Sequence, residues 1–70
     1  MRYGELFVEK SKVDSEKIEV VIVKGAKYFS FTMNQSENTG MDVIRMIGNI
    51  AGSVELTDNE LAITMQYIYN

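Results

Sequence analysis

Residues 17–33 read KIEVVIVKGAKYFSFTM, and the register of a β-hairpin can be worked out from them directly. Ile18, Val20, Val21, Ile22 and Val23 are β-branched, and Tyr28, Phe29 and Phe31 are aromatic. Both kinds of side chain fit a pleated, half-buried surface. Between the two runs sits Gly25-Ala26. A two-residue loop with Gly first suits a type II′ turn, because Gly takes positive φ without a Cβ clash. That loop sets Lys24 opposite Lys27, Val23 opposite Tyr28, Ile22 opposite Phe29, Val20 opposite Phe31 and Ile18 opposite Met33. Opposed residues share a face, so Ile18, Val20, Ile22, Phe29, Phe31 and Met33 line one side. The other side, Glu19, Val21, Val23, Tyr28, Ser30 and Thr32, is mixed. A slip of one residue would scramble both faces. The two lysines beside the turn repel, and that end is expected to be wet.

Working outward, residues 2–9 alternate as a first strand. Leu6 and Val8 fall on the apolar side, and Tyr3, Glu5, Phe7 and Glu9 on the other. Residues 10–16 are polar and form the connection, with Asp14-Ser15 as the turn signal. Residues 34–39 break the pattern. Asn38 or Thr39 is placed to N-cap the next element, with Asp42 three residues beyond Thr39. From Gly40 to Ala51 the period becomes helical: Met41, Ile44, Ile47 and Ala51 recur, flanked by Val43, Met46 and Ile50. Asp42, Arg45 and Asn49 make the one polar stripe. Gly52 is placed to end the helix at C′. This apolar surface is wider than the stripe of roughly 100° that one sheet contact needs. Gly48, unfavourable by roughly 1 kcal/mol against Ala in a helix interior, predicts close approach to a neighbour.

Residues 53–70 support two readings. As a helix, Thr57 and Glu60 form a Thr-x-x-Glu capping box, with Asp58 and Glu60 favourable to the helix dipole. Leu61, Ala62, Met65, Ile68 and Tyr69 then share a face. As a further β-hairpin, Asp58-Asn59 makes the turn, Leu56 faces Leu61 and Val54 faces Ile63. The two-sided capping signal favours the helix over residues 57–70. The expected fold class is therefore α+β: a three-stranded antiparallel meander with a helix on one face, and a C-terminal segment that is a second helix or else a hairpin.

The chain has 70 residues, which allows one domain, residues 1–70. A core this small rarely supplies more than about 3–5 kcal/mol unaided. With no Cys and no His, disulfides are excluded and a zinc site is not expected. The apolar content of 46% is that of a folded domain. No stretch has signal-peptide order, and no run approaches the roughly 20 apolar residues of a membrane span. A soluble, cytoplasmic protein without membrane contact is expected. Residues 1–35 carry a net charge of +1 and residues 36–70 a net charge of −4. An acidic half disfavours direct nucleic-acid binding and suits a basic surface on another protein.

Nucleophile–base pairs that need His or Cys are absent. Glu55, Asp58 and Glu60 are close enough in sequence to act as paired carboxylates, but they are better read as one cap and two solvated charges. They match no calcium loop, and no phosphate-gripping loop is present. No catalytic residue, cofactor or metal is expected. Lys27 to Phe31 alternates aromatic residues after a basic one, as RNA-reading strands do. Yet Phe29 and Phe31 fall on the core side, and the companion pattern is missing. Tyr67 and Tyr69 are the better surface candidates, since Tyr combines rigid apolar area with a polar tip. With Tyr3 and Tyr28 they would make an aromatic patch.

The expected function is a small non-enzymatic protein-binding module. Glu55, Asp58 and Glu60 would meet a basic surface, and Tyr67 and Tyr69 would anchor the contact. Small acidic inhibitors from phage and mobile elements, which dock on nucleic-acid-handling or defence proteins, have this general character without a shared motif. The alternative is a self-assembling structural or accessory domain. In that case the wide helix and the edge of strand one are buried in a homodimer.

Overall fold

The computed structural model describes residues 1–34 and 40–69, with the side chains of residues 40–44 outside the description. Among these residues, four strands make one antiparallel sheet in the order β1-β2-β3-β4: β1 is Arg2–Tyr3, β2 Leu6–Lys12, β3 Lys17–Lys24 and β4 Lys27–Asn34. Two helices come after the sheet, α1 at Gly40–Ser53 and α2 at Asp58–Tyr69. The class is α+β with a meander sheet, as expected.

The central hairpin has the expected register at every position, from Ile18 opposite Met33 to Lys24 opposite Lys27. Gly25 has φ of +60°, and no residue other than glycine has positive φ among the described residues. Positive φ at the first loop position alone is what a type II′ turn requires. The first strand differs from expectation. It breaks at Gly4, also at φ +60°, and folds back so that Tyr3 pairs with Leu6 and Arg2 with Phe7. Tyr3 therefore lies on the Leu6 side of the sheet, not beside Phe7. The loop Gly4-Glu5 repeats the Gly-first arrangement of Gly25-Ala26. β2 also runs on to Lys12, which shortens the connection. There the Asp14 carboxylate accepts bonds from the Glu16 and Lys17 amides at 2.8 and 2.9 Å, so the expected turn signal is the turn.

Both helices cover the same sheet face, α1 over β4 and α2 over β2. Leu6, Val8, Val20 and Ile22 are fully buried from the sheet, with Ile50 and Val54 from α1 and the chain just beyond it. Met33 and Ile68 complete this core; Ile18, Phe29 and Phe31 pack at its margin. Each fully buried Val, Leu or Ile side chain contributes about 1.5–3 kcal/mol of transfer free energy, set against the entropy of ordering the chain.

The helices depart from expectation in four respects. α1 continues through Gly52 to Ser53, and the Val54 amide still reaches the Ile50 carbonyl at 2.9 Å, so Gly52 does not end the helix. Gly48 is exposed with nothing within 4 Å of where a Cβ would stand, so no close approach explains it. In α1 the sheet contact is made by Ile50 and Met46, while Ala51 is exposed. The N-capping expectations at Asn38, Thr39 and Asp42, and the apolar positions Met41, Val43 and Ile44, lie outside the described residues. The C-terminal segment is the helix, not the hairpin. Its buried positions are Glu60, Thr64 and Ile68, whereas Ala62 and Tyr69 are exposed.

Candidate interaction surfaces

The capping box is formed on both sides. The Thr57 amide donates to Glu60 Oε1 at 2.9 Å, and the Glu60 amide donates to Thr57 Oγ1 at 3.2 Å. These bonds satisfy donors that a helix start leaves open. One turn on, the buried Thr64 hydroxyl donates to the Glu60 carbonyl at 2.8 Å, which is why a polar side chain is tolerated there.

The hairpin tip closes on this cap. Lys24 Nζ lies 2.7 Å from Glu60 Oε1 and donates to the Glu55 carbonyl at 3.0 Å. Lys27 Nζ lies 2.6 Å from Glu55 Oε1. The lysine pair alone predicts a wet, repulsive end. Gly25, Ala26 and Lys27 are exposed, so the tip is wet as expected. Lys24, however, is only half-exposed, and the repulsion is offset because each lysine meets a carboxylate at the α2 entrance. The Lys24 ammonium, then the Thr57 amide, hold the Glu60 carboxyl below its ordinary value; Lys27 does the same for Glu55. At Asp14 the cause is the pair of turn amides. These groups stay ionised, the reverse of what a general acid near neutral pH requires.

The five candidate partner-binding residues are thus not one patch. Glu60 is buried, whereas Glu55, ion-paired to Lys27, and Asp58 in the first turn of α2 are both exposed. Tyr67 is half-buried against the core, with the Lys10 ammonium 5.1 Å from its ring centre. The Tyr69 hydroxyl donates to Met46 Sδ at 3.6 Å. The two tyrosines therefore meet different elements, β2 and α1. Phe29 and Phe31, with ring centres 5.6 Å apart, pack on the helix side. They are not presented on the open face, where an RNA-stacking strand would need them.

The sheet's other face carries no helix among the described residues. From the register, one row across it runs Arg2, Phe7, Val23, Tyr28. The Arg2 guanidinium stands 5.8 Å over the Phe7 ring, and Tyr28 is 61% exposed. Arg2, Glu5, Phe7, Val23 and Gly25 line a shallow depression there. The next rows contain Glu9, Val21 and Ser30, then Ser11, Glu19 and Thr32. Glu9 and Glu19 are diagonal neighbours, and neither is in an ion pair among the described residues. Phe7 is not among the binding candidates that the sequence suggests, although its odd-numbered position already sets it opposite Leu6 and Val8.

Among the described residues, no group of three or more acidic side chains is arranged to hold a metal ion. No helix there is long and apolar enough to cross a membrane, which says nothing of strands. No family model matches the chain, and neither the curated proteins nor the solved structures yield a match.

Proposed function

We propose that the chain is a small, non-enzymatic protein-binding module that docks through the uncovered face of its sheet. The observation that carries this reading is the row Arg2, Phe7, Val23, Tyr28, an aromatic strip on a face that no described helix covers. Aromatic residues and Arg are the side chains most often found at the centre of protein interfaces. Behind the strip, Glu9 and Glu19 favour a partner whose apolar contact is bordered by basic side chains. Asp58 keeps a place in this reading as an outlying charge. Glu60, buried and bonded to Lys24, fixes α2 on the hairpin, while the exposed Glu55 stays at the surface beside Lys27. The proposal sets the module in the cytoplasm, acting by occupying a surface on another protein, in the manner of an inhibitor.

A homo-oligomer is the second reading, supported by the same uncovered apolar strip. Sedimentation of wild type and Tyr28→Glu, then capture of binding proteins with each as bait, separates the two. A monomer that retains one specific protein, lost with Tyr28→Glu and weakened by salt, supports docking on a foreign surface. A dimer dispersed by Tyr28→Glu favours self-assembly. A protein retained equally by both baits overturns the open-face reading.

A further inference from the structure

The helix side of β4 has a second feature that the open face does not explain. In a hairpin with a two-residue loop, the residues flanking the loop exchange both backbone hydrogen bonds, and this alternates along the ladder. Lys24 and Lys27 are that pair here, so Phe29, Phe31 and Met33 bond to β3. Tyr28, Ser30 and Thr32 then turn their N–H and C=O groups away from it. β4 is the last strand in the sheet order, so no described strand receives them. Natural edges are usually blunted by charge, Pro, bulges or short length. The opposite edge follows that pattern: β1 has two residues, and β2 beyond it reads Glu9, Lys10, Ser11, Lys12. β4 is eight residues long, contains no Pro, and has a charge only at Lys27.

Beside this edge runs a groove lined by Phe29, Phe31, Thr32, Arg45, Met46 and Asn49. The Thr32 side chain belongs to the open face through its pairing with Glu19. Its presence in the lining means that the groove opens onto the backbone edge itself. The floor is apolar, and the α1 rim bears an exposed Arg45 that has no ion pair among the described residues.

We propose that this edge and groove bind an extended peptide segment of a partner protein, added to the sheet beside β4. Its alternate apolar side chains fill the groove against Phe29, Phe31 and Met46, and one carboxylate meets Arg45. Strand addition supplies affinity through the backbone, and the pockets for alternate side chains supply selectivity. Charge decides against a second copy of this chain as the occupant. β4 contains no acidic residue, so a β4–β4 pairing would bring Arg45 no carboxylate and would add another Lys27. The edge adjoins the open face at Tyr28 and Thr32, but the groove side chains Phe29, Phe31, Arg45 and Met46 lie on the helix side, so Arg45→Glu tests this reading and Tyr28→Glu the other.

The test is selection from a displayed random-peptide library, then anisotropy titration of the synthetic selected peptides. The expected sequences alternate apolar residues and carry Asp or Glu. Arg45→Glu is expected to weaken them about tenfold or more, the size of one charge-assisted hydrogen bond, and to favour basic peptides instead. Ser30→Pro removes an outward N–H without touching the β3 ladder and should abolish binding. If that variant does not fold, amide exchange on wild type replaces it: peptide should protect the amides of residues 28, 30 and 32. Failure to enrich any peptide overturns the proposal. So does equal binding to wild type and both variants, or a dimer that Ser30→Pro dissociates.

Discussion

The two faces of the sheet are built from the same strands, yet they differ in almost every physical respect. On one, Leu6, Val8, Val20 and Ile22 are fully buried under two helices. On the other, one residue away along each strand, Phe7 and Tyr28 are among the exposed large apolar residues of the chain. The period of two in the sequence therefore separates a buried face from an exposed one, and on the proposed reading it separates stability from recognition. Substitutions on the covered face should change folding, and substitutions on the open face should change binding.

The sharpest way to break that comparison is Ile22→Ala against Tyr28→Ser. Ile22→Ala should lower stability by about 2–5 kcal/mol, since the vacated volume lies in a closed core. Tyr28→Ser should stay within about 0.5 kcal/mol of wild type, as surface substitutions do. Urea denaturation with both variants checks this; equal effects would mean that the open face is covered in solution. Next in size is Thr57→Ala, which removes one side of the capping box and should cost about 1 kcal/mol, read as a lower midpoint in the same titration.

Glycines give a pair of opposite sign. Gly25→Ala forces a side chain into positive φ and should destabilise by about 1 kcal/mol. Gly48→Ala, in an exposed helix position with free space, should stabilise by up to ~1 kcal/mol. Thermal melts of the two variants compare turn and helix directly.

Acid sharpens the contrast further. Glu60 and Glu55 have carboxyls held below the ordinary value of 4.5 in the folded state. Their contribution is present above that value and is lost as pH falls through the lower folded-state values. Stability should therefore decline below about pH 4.5, and Lys24→Met should flatten that decline because the Glu60 carboxyl no longer has its ammonium. Melting temperature against pH in the two proteins measures it. A parallel decline would remove Lys24 from the account.

How much is legible in the sequence depends on how local each signal is. The hairpin register is readable because Gly25 fixes the loop, and every pairing is set by it. The capping box is readable because Thr57 and Glu60 are three residues apart. β1 escapes notice because two residues show no periodicity, although Tyr3-Gly4-Glu5-Leu6 repeats the Gly-first loop of Lys24-Gly25-Ala26-Lys27. The Lys24–Glu60 bond, spanning 36 residues, has no local signal at all. The α2 face is legible in part: Leu61, Met65 and Ile68 pack on the core as expected, Ala62 and Tyr69 do not, and Glu60 and Thr64, which count as polar, are buried because their hydrogen bonds allow it. Among the binding candidates, the acidic residues draw attention by their clustering. Val23 and Tyr28 are legible as a pair on the mixed face, but their alignment with Phe7 and Arg2 is not, because it depends on the β2–β3 register and on the fold-back at Gly4.

The Gly-first loops also have a kinetic meaning. Every strand pairs with its neighbour in the chain, so the sheet can assemble through short-range closures alone. The contact between Lys24 and the α2 cap must wait until the whole chain is present. The sheet should thus be the slowest part to open, and α2 should come away first. Native-state amide exchange would register this as lower opening free energies along α2 than along β3. In that order of opening, the hairpin tip that clasps the helix entrance would be a late latch on an already formed sheet.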